Sequence, residues 1–257
     1  MARSSIEWTE ATWNPTTGCD RVSSGCDNCY ALTLAARLKA MGQPKYQTDG
    51  DPRTSGPGFG LALHADTLKV PTTWRTPTTV FVNSMSDLFH PKVPIAYIRQ
   101  VFDVIRSTPQ HTYQVLTKRS KRLQSFAERL SWPDNLWMGV SIESDRYTFR
   151  ADHLRAVPAA VRFLSLEPLL GPLPSLRLDA IDWVIVGGES GFGSRPIDEA
   201  WVESIQRACR DADVPFFFKQ WGGRTAKAGG RLLGGQTWDE MPHRSANQTV
   251  SIVRARN

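Results

Sequence analysis

Short runs of apolar, β-branched and aromatic residues alternate with amphipathic stretches from residue 80 onward. The runs are apolar at consecutive positions, which is typical of strands covered on both faces of a parallel sheet. We predict these strands at 80–84, 112–117, 136–142, 161–166, 183–188 and 215–221. One-sided apolar patterns between them predict helices at 95–106, 119–130, about 146–157 and 198–213. The alternation restricts the chain to an α/β fold built on a parallel sheet.

An earlier strand and helix precede this series. The segment EATWNPTTG (10–18) predicts a strand, and residues 28–41 predict the helix that follows it. Seven strands in repeated strand–helix order favour a partial (β/α)6-type TIM barrel, with an open doubly wound sheet as the alternative. We predict one barrel domain over 1–221, with a Gly- and Pro-rich insertion at 42–79. A Gly-rich extension over 222–257 follows, and we expect its last residues to be disordered.

The charge balance bears on the partners of this protein. The 257 residues carry a formal net charge of +6, and the pI is about 9.3. A basic surface suits a nucleic acid or another anionic partner, although ordinary variation also gives such a value. Arginines next to tryptophans, at 74–75 and 221–224, are candidates for stacking on bases. No stretch resembles a signal peptide or a membrane span, so we expect a cytoplasmic protein without membrane contact. The sequence leaves the oligomeric state open, and we favour a monomer.

Three of the four cysteines lie close together, in the spacing C-x6-C-x2-C: Cys19, Cys26 and Cys29. One interpretation is structural zinc, but zinc takes four ligands, and His64 and His90 lack the spacing of a zinc knuckle. A second is incidental core thiols, which the flanking glycines and aspartates do not favour. The third is a [4Fe–4S] cluster, in which three thiolates leave one iron open to a ligand. The fourth cysteine, at position 209 on an apolar helix face, is predicted to be a buried structural thiol.

Polar residues or glycines lie at the C-terminal ends of the predicted strands from residue 80 onward. In a barrel, and in an open sheet, ligands bind at the C-terminal ends of the strands. The residues at these ends are Asn83-Ser84, Thr117-Lys118, Ser141 with Glu143, Ser165 with Glu167, Gly187-Gly188-Glu189 and Lys219-Gln220. Each also has an ordinary structural explanation, because serines, acids and glycines at strand ends satisfy backbone groups, cap turns or form ion pairs.

Several motifs together resemble a known family. They are WNPTTGC…GCDNCYA, VFVNSMSDLFH, HTYQVLTKR, MGVSIE, VRFLSLEPLLGP, DWVIVGGESG and PFFFKQWGG, spread over about residues 6–242. They resemble the phage-associated three-cysteine-motif proteins, which look like a divergent branch of the radical S-adenosylmethionine (SAM) superfamily with likeness to spore photoproduct lyase. The usual superfamily spacing is C-x3-C-x2-C, and the first gap here is six residues.

The resemblance implies a chemistry and a set of site residues. The three cysteines would ligate a [4Fe–4S] cluster, SAM would chelate the open iron, and an external electron donor would drive formation of a 5′-deoxyadenosyl radical. Glu167 and Lys219 are the candidate catalytic residues. The candidate residues for binding SAM are Tyr30, Ser84, Ser86, Asp87, Lys118, Ser141, Glu143, Gly187, Gly188 and Glu189.

Three functions remain open from the sequence. The first is a radical SAM enzyme, of lyase or nucleic-acid-modifying type, that repairs or modifies DNA or another nucleic acid. The second is a zinc-stabilised nucleic-acid-binding protein without catalysis. The third is a radical SAM enzyme that acts on a small metabolite or a protein. Metal content separates the second from the others, and a nucleic-acid-binding titration separates the first from the third.

Overall fold

The computed structural model describes residues 4, 6–225, 227–244 and 250–253. Its strands are β1 (Ala11–Trp13), β2 (Thr16–Thr17), β3 (Ala62–Leu63), β4 (Thr79–Val82), β5 (Thr112–Thr117), β6 (Leu136–Ser141), β7 (Val161–Leu166), β8 (Trp183–Gly187), β9 (Phe216–Gln220), β10 (Met241–Arg244) and β11 (Val250–Val253). Its helices are α1 (Tyr30–Ala40), α2 (Ile95–Ser107), α3 (Ser120–Phe126), α4 (Phe149–Arg155) and α5 (Glu199–Asp211). Within these ranges no helix is both long and apolar enough to cross a membrane.

Seven strands form one parallel sheet in the order β1-β4-β5-β6-β7-β8-β9. The order runs in one direction without reversal, whereas a doubly wound sheet reverses at a switch point. The sheet is also curled, because Trp8 contacts both Phe81 on β4 and Trp183 on β8, at ring distances of 4.8 and 6.3 Å. Four strand spacings in a flat sheet would separate those strands by about 19 Å. The predicted partial barrel is therefore confirmed, and the open doubly wound alternative is wrong.

The two faces of the sheet have different cores. The concave face holds aromatic side chains such as Trp137, Phe163 and Phe217, which fill the barrel around Trp183. The convex face packs aliphatic residues, together with aromatic ones such as Phe102, against the helices in a larger cluster. This division explains the consecutive apolar residues of the strands, since alternate side chains point to opposite faces and both faces are covered. Asp198 caps α5 as predicted, accepting a hydrogen bond from the Ala200 N–H at 2.9 Å.

The C-terminal extension returns along the outer edge of the sheet. The Phe218 N–H donates to the Trp238 carbonyl at 2.9 Å, and the Glu240 N–H donates to the Phe216 carbonyl at 3.3 Å. These bonds occupy the free edge of β9, and an exposed sheet edge would otherwise invite pairing with another chain. Strands β10 and β11 pair with each other. The last residues of the chain were expected to be disordered. Of these, residues 245–249 and 254–257 lie outside the described residues.

Gly139 on β6 leaves the space inside the barrel that the Phe163 ring occupies. A Cβ at this position would lie 2.4 Å from atoms of the Phe163 ring. We therefore expect Gly139→Ala to lower the free energy of unfolding by about 1–3 kcal/mol through overpacking. Gly171→Ala is the matched control, because a Cβ at Gly171 would meet nothing within 4 Å. Urea denaturation measures both; equal stabilities of the two variants would contradict this packing.

Candidate functional site

Residues 18–29, here called the cysteine loop, connect β2 to α1 at the C-terminal end of the sheet. The loop begins at Gly18, whose φ of +84° is in the region that favours glycine. A Cβ at Gly18 would lie 2.1 Å from the Gly60 carbonyl oxygen, so the insertion packs directly on the start of the loop. A 3-10 turn over Ser24–Cys26 follows, and Cys29 is the N-cap residue of α1. All three loop cysteines therefore lie within one short, turn-rich segment.

The three thiols are free and half-buried. Cys19 and Cys29 contact a small apolar cluster that contains Ala31, Ala35 and Phe59. Burial, reinforced by the nearby charge of Asp87, raises the pKa of the Cys19 thiol to about 12. Burial also raises the pKa of Cys29. Metal binding at these thiols would consequently release protons, as thiolate ligation requires.

Three thiols without a fourth protein ligand suit a [4Fe–4S] cluster with one open iron better than a structural zinc ion, which takes four protein ligands. Among the described residues, no group of three or more His, Cys, Asp or Glu side chains is arranged to hold a metal ion. A structural zinc ion requires all its ligand atoms at about 2.0–2.3 Å from one centre. A [4Fe–4S] cluster places each cysteine on a different iron, so the sulfurs stay apart. Both nearby histidines are hydrogen-bonded to protein groups: His90 Nε2 lies 2.8 Å from the Asp20 carboxylate, and His64 Nε2 lies 2.8 Å from the Thr17 hydroxyl.

Arg119, after β5, contacts the first cysteine. Its Nη2 lies 3.6 Å from Cys19 Sγ and donates to the Asp20 carbonyl at 3.0 Å. Asp87, after β4, lies beneath this arginine, with 3.8 Å between Arg119 Nε and Asp87 Oδ2. The Asp87 carboxylate also accepts from the Thr117 hydroxyl at 2.7 Å and from the Lys118 N–H at 3.2 Å. The buried carboxylate is thus occupied by protein groups that orient Arg119.

Glu143, after β6, supports the middle of the loop. Its carboxylate is fully buried and pairs with Arg150 Nη1 at 2.8 Å. The other oxygen accepts from the Gly25 N–H at 3.4 Å. A Cβ at Gly25 would lie only 3.1 Å from the Glu143 side chain, so the loop backbone rests on this carboxylate. Arg150 also donates to the Ser141 carbonyl at 2.8 Å.

Glu189, after β8, and Arg195 hold the second half of the loop. Glu189 accepts from the Asn28 amide at 2.9 Å and from Arg195 Nε at 2.9 Å. Arg195 also donates to the Ser24 carbonyl at 2.9 Å and lies 3.6 Å from the Asp27 carboxylate. Burial alone would raise the pKa of Glu189, but hydrogen bonds from Arg195 and Asn28 outweigh it and hold that pKa below the usual range. Glu189 is therefore ionised at neutral pH and binds the loop.

The serines after β4 connect the loop to the first strands. The Tyr30 hydroxyl donates to the Ser84 carbonyl, and the Ser84 hydroxyl donates to Asn14 Oδ1 at 3.2 Å. The Ser86 hydroxyl donates to the Gly18 carbonyl at 2.7 Å. These serines satisfy backbone and side-chain groups at the strand ends. Residues after β4, β5, β6 and β8 thus all contact the cysteine loop or Tyr30, and the loop extends across the mouth of the barrel.

Three further charged site candidates, Lys118, Glu167 and Lys219, do not contact the loop. The Lys118 charge acts on Cys29 and lowers its pKa against the larger effect of burial. Within the described part of the chain, the Lys118 side chain makes no hydrogen bond or ion pair. Lys219 Nζ lies 2.5 Å from the Glu167 carboxylate. Both side chains flank Gly187, where a Cβ would approach Glu167 to 3.4 Å.

Gly188 and Cys209 have structural roles. A Cβ at Gly188 would lie 2.0 Å from the Trp221 carbonyl oxygen, so this glycine permits close approach of β8 and the segment after β9. Cys209 is fully buried on α5, as predicted. The sequence interpretation did not include Asn28, Arg150 or Arg195 in the site. Asn28 lies between two of the cysteines, and this position could have identified it as a candidate. No motif near Arg150 or Arg195 in the sequence indicates a role in the site.

Glu189→Ala is expected to loosen the cysteine loop before any metal binds. The loss of charge-assisted hydrogen bonds from Asn28 and Arg195 should speed backbone amide exchange over residues 24–28 by about tenfold or more. Hydrogen–deuterium exchange read by mass spectrometry measures this. Glu203→Ala is the control, because it removes an exposed carboxylate whose ion pair with Arg207 spans 3.5 Å. Unchanged exchange in the Glu189 variant would refute the assigned contact role.

No curated protein matches the sequence. A solved structure of a spore photoproduct lyase mutant is similar with 13% identity and a TM-score of 0.48, over 74% of this chain and 59% of that chain. A spore photoproduct lyase complexed with dinucleoside spore photoproduct is similar with 13% identity and a TM-score of 0.43, over 76% and 59% of the two chains. A second mutant of the lyase, with bound AdoMet and dinucleoside spore photoproduct, is similar with 14% identity and a TM-score of 0.43, over 70% of this chain and 56% of that chain.

The chain spans about three fifths of the length of these lyase chains. The family described as "Protein of unknown function (DUF5131)" matches residues 3–242, which include the cysteine loop and all seven strands of the main sheet. The chain therefore belongs to the DUF5131 family.

Proposed function

We propose that this protein is a radical SAM enzyme whose cluster is held by Cys19, Cys26 and Cys29. When bound, a three-cysteine [4Fe–4S] cluster with SAM supplies one electron from an external donor and releases a 5′-deoxyadenosyl radical that abstracts hydrogen from a substrate. The observation that carries the proposal is the position of the cysteine loop. Three free, half-buried thiols lie on one loop across the C-terminal mouth of a partial barrel, where such folds place their chemistry.

The loop is held in place by protein contacts alone. Arg119, Glu143 and Glu189 contact it from three different strand ends, and Tyr30 binds the Ser84 carbonyl beside it. A ligand set that is already ordered loses less conformational entropy when a cofactor binds. We assign a positioning role, for the loop and the residues that hold it, to Ser84, Ser86, Asp87, Ser141, Glu143 and Glu189. Their backbone groups, and the residues next to them, remain available to contact SAM.

Lys118 is the residue we assign to the SAM carboxylate. Its ammonium group lies within electrostatic range of Cys29 and has no protein partner among the described residues. The Glu167–Lys219 pair is assigned to the substrate side, because it lies on the concave face and is only partly exposed. A lysine paired with a carboxylate can hold or deliver a proton at its Nζ atom during turnover. Gly187 leaves room beside this pair.

We propose a nucleic acid as the substrate, in line with the net charge of +6. A small metabolite or a protein substrate is the alternative outcome of the substrate test. A nucleic-acid-binding protein with a zinc ion and no catalysis is the alternative outcome of the metal test. Both are measured on the full chain.

Anaerobic reconstitution with ferrous iron and sulfide tests the proposal. The expected product is brown protein with about four iron and four sulfide per chain. Reduction with dithionite in the presence of SAM should then release 5′-deoxyadenosine, detected by liquid chromatography with mass spectrometry. A colourless protein with one zinc ion per chain would overturn the proposal. A protein that assembles the complete cluster but does not cleave SAM would overturn the proposed radical chemistry, although the assignment of the cluster ligands would stand.

A further inference from the structure

The exposed aromatic side chains all lie at one end of the molecule. Among the described residues, three aromatic side chains are exposed: Tyr30 at 54%, Phe149 at 46% and Phe192 at 93%. Tyr30 begins α1 after the cysteine loop, Phe149 begins α4 after β6, and Phe192 lies between β8 and α5. All three follow C-terminal strand ends. Apolar residues scattered singly over a surface need no explanation, but a shared location at the mouth of the barrel does.

Phe192 is held at the tip of a well-anchored loop. The Asn28 amide, next to Cys29, donates to the Gly193 carbonyl at 3.0 Å. The Gly191 N–H donates to the Gly223 carbonyl at 2.9 Å, and Gln220 donates to the Ser190 hydroxyl at 2.5 Å. Gly191 and Gly193 have φ angles of +117° and +75°, which turn the backbone so that the residue between them projects outward. The ring is therefore presented to solvent from a fixed backbone.

Unpaired cations lie on the loop next to Phe192. Gly223 forms a bridge with Ser190, and Arg224 follows it directly. Arg224 and Lys227 are exposed, and their side chains have no ion pair or hydrogen bond within the ranges that the structure describes. The tryptophans suggested for stacking from the sequence are not available, because Trp74 is buried and Trp221 packs on Phe218 at 4.7 Å. An exposed ring beside free cations is the combination that binds single-stranded nucleic acid.

We infer that the mouth of the barrel binds a nucleic acid strand, with Phe192 stacked on an unpaired base and Arg224 and Lys227 on the neighbouring phosphates. This inference rests on the proposed function for its substrate class and specifies which surface recognises it. The aromatic ring contributes affinity that does not depend on salt, because every base has a π-face. The two cations contribute affinity that falls with salt, because binding releases counterions from the phosphates.

Fluorescence anisotropy with a labelled single-stranded mixed-sequence DNA 12-mer tests the inference, using the full chain with and without reconstituted iron. Phe192→Ala should weaken binding about 5- to 100-fold and leave the salt slope unchanged. Phe192→Tyr should retain binding, because it keeps a stacking ring. The plot of log affinity against log salt has a negative slope. The double variant Arg224→Ala with Lys227→Ala should make that slope shallower by about 1.4, because two phosphate contacts are lost.

Met41→Ala is the matched control for removing an exposed apolar side chain. Met41 is 62% exposed and follows the far end of α1, about 16 Å along the helix from Tyr30. It should bind the oligonucleotide like the wild type. Equal affinity of Phe192→Ala and the wild type, or no binding by the wild type, would overturn the inference. SAM cleavage is measured separately, by the release of 5′-deoxyadenosine. A protein that cleaves SAM but does not bind the oligonucleotide would therefore contradict this inference and leave the proposed radical chemistry intact.

Discussion

Cys26→Ala is expected to abolish cluster assembly and SAM cleavage in this protein. The variant removes the middle thiol of the set, and the cluster then has protein ligands for only two of its irons. Iron content after reconstitution should fall from about four per chain to less than about one. The release of 5′-deoxyadenosine should fall below detection. Circular dichroism should show the same secondary structure as the wild type, since Cys26 is half-buried and lies on a loop.

Cys209→Ala is the control for the loss of a thiol. Cys209 is buried on α5, and burial raises the pKa of its thiol far above the usual range. An inert buried thiol contributes packing only, so the variant should bind iron and cleave SAM as the wild type does, with a modest loss of stability. Equal loss of iron in the two variants, or full iron content in Cys26→Ala, would show that the cluster ligands are misassigned.

Glu143→Ala is expected to have the largest effect on stability. Glu143 and Arg150 have side-chain exposures of 0% and 3% and form an ion pair at 2.8 Å. The variant leaves the Arg150 guanidinium buried without its carboxylate, which typically costs about 3–5 kcal/mol. Urea denaturation measures the free energy of unfolding. Asp103→Ala is the control, since its ion pair with Arg106 is exposed and should contribute less than about 1 kcal/mol.

A second substitution separates the buried charge from other causes. Arg150→Met in the Glu143→Ala background removes the unpaired cation, so part of the lost stability should return. The cysteine loop would still lack its contact at Gly25, and amide exchange there should remain fast. If Glu143→Ala were no less stable than Asp103→Ala, the pair would not support the mouth of the barrel as described.

The strands were predictable because their signal is local. The strands at 112–117 and 161–166 have the predicted bounds, and the others differ by one or two residues, except the first. Consecutive apolar residues arise when both faces of a parallel sheet are covered, and neither partner has to be known to recognise that pattern. The first strand differs because Pro15 interrupts it: residues 11–13 join the main sheet, while 16–17 pair with the insertion.

Helix ends were predicted less well. The helix predicted over 119–130 ends at Phe126 and continues as a 3-10 turn over Ala127–Arg129. The helix predicted over about 146–157 begins at Phe149, after a 3-10 turn over Asp145–Tyr147. The apolar period continues through both turns, so the sequence pattern alone does not mark where the hydrogen bonding changes.

By itself, the sequence determined the strand–helix order, a parallel sheet covered on both faces, the cysteine spacing and the strand ends on which polar residues lie. These features depend on local periodicity and on the rule that parallel strands end at one edge. Only the tertiary structure decided what the polar residues contact. Asp87, Glu143 and Glu189, which the sequence marked as cofactor-binding candidates, form ion pairs with Arg119, Arg150 and Arg195 around the cysteine loop. The loop contacts of Glu143 and Glu189 join residues more than 100 positions apart, at Gly25 and Asn28. A buried carboxylate takes the donor that the folded chain brings within about 3 Å, and sequence spacing carries no record of that distance.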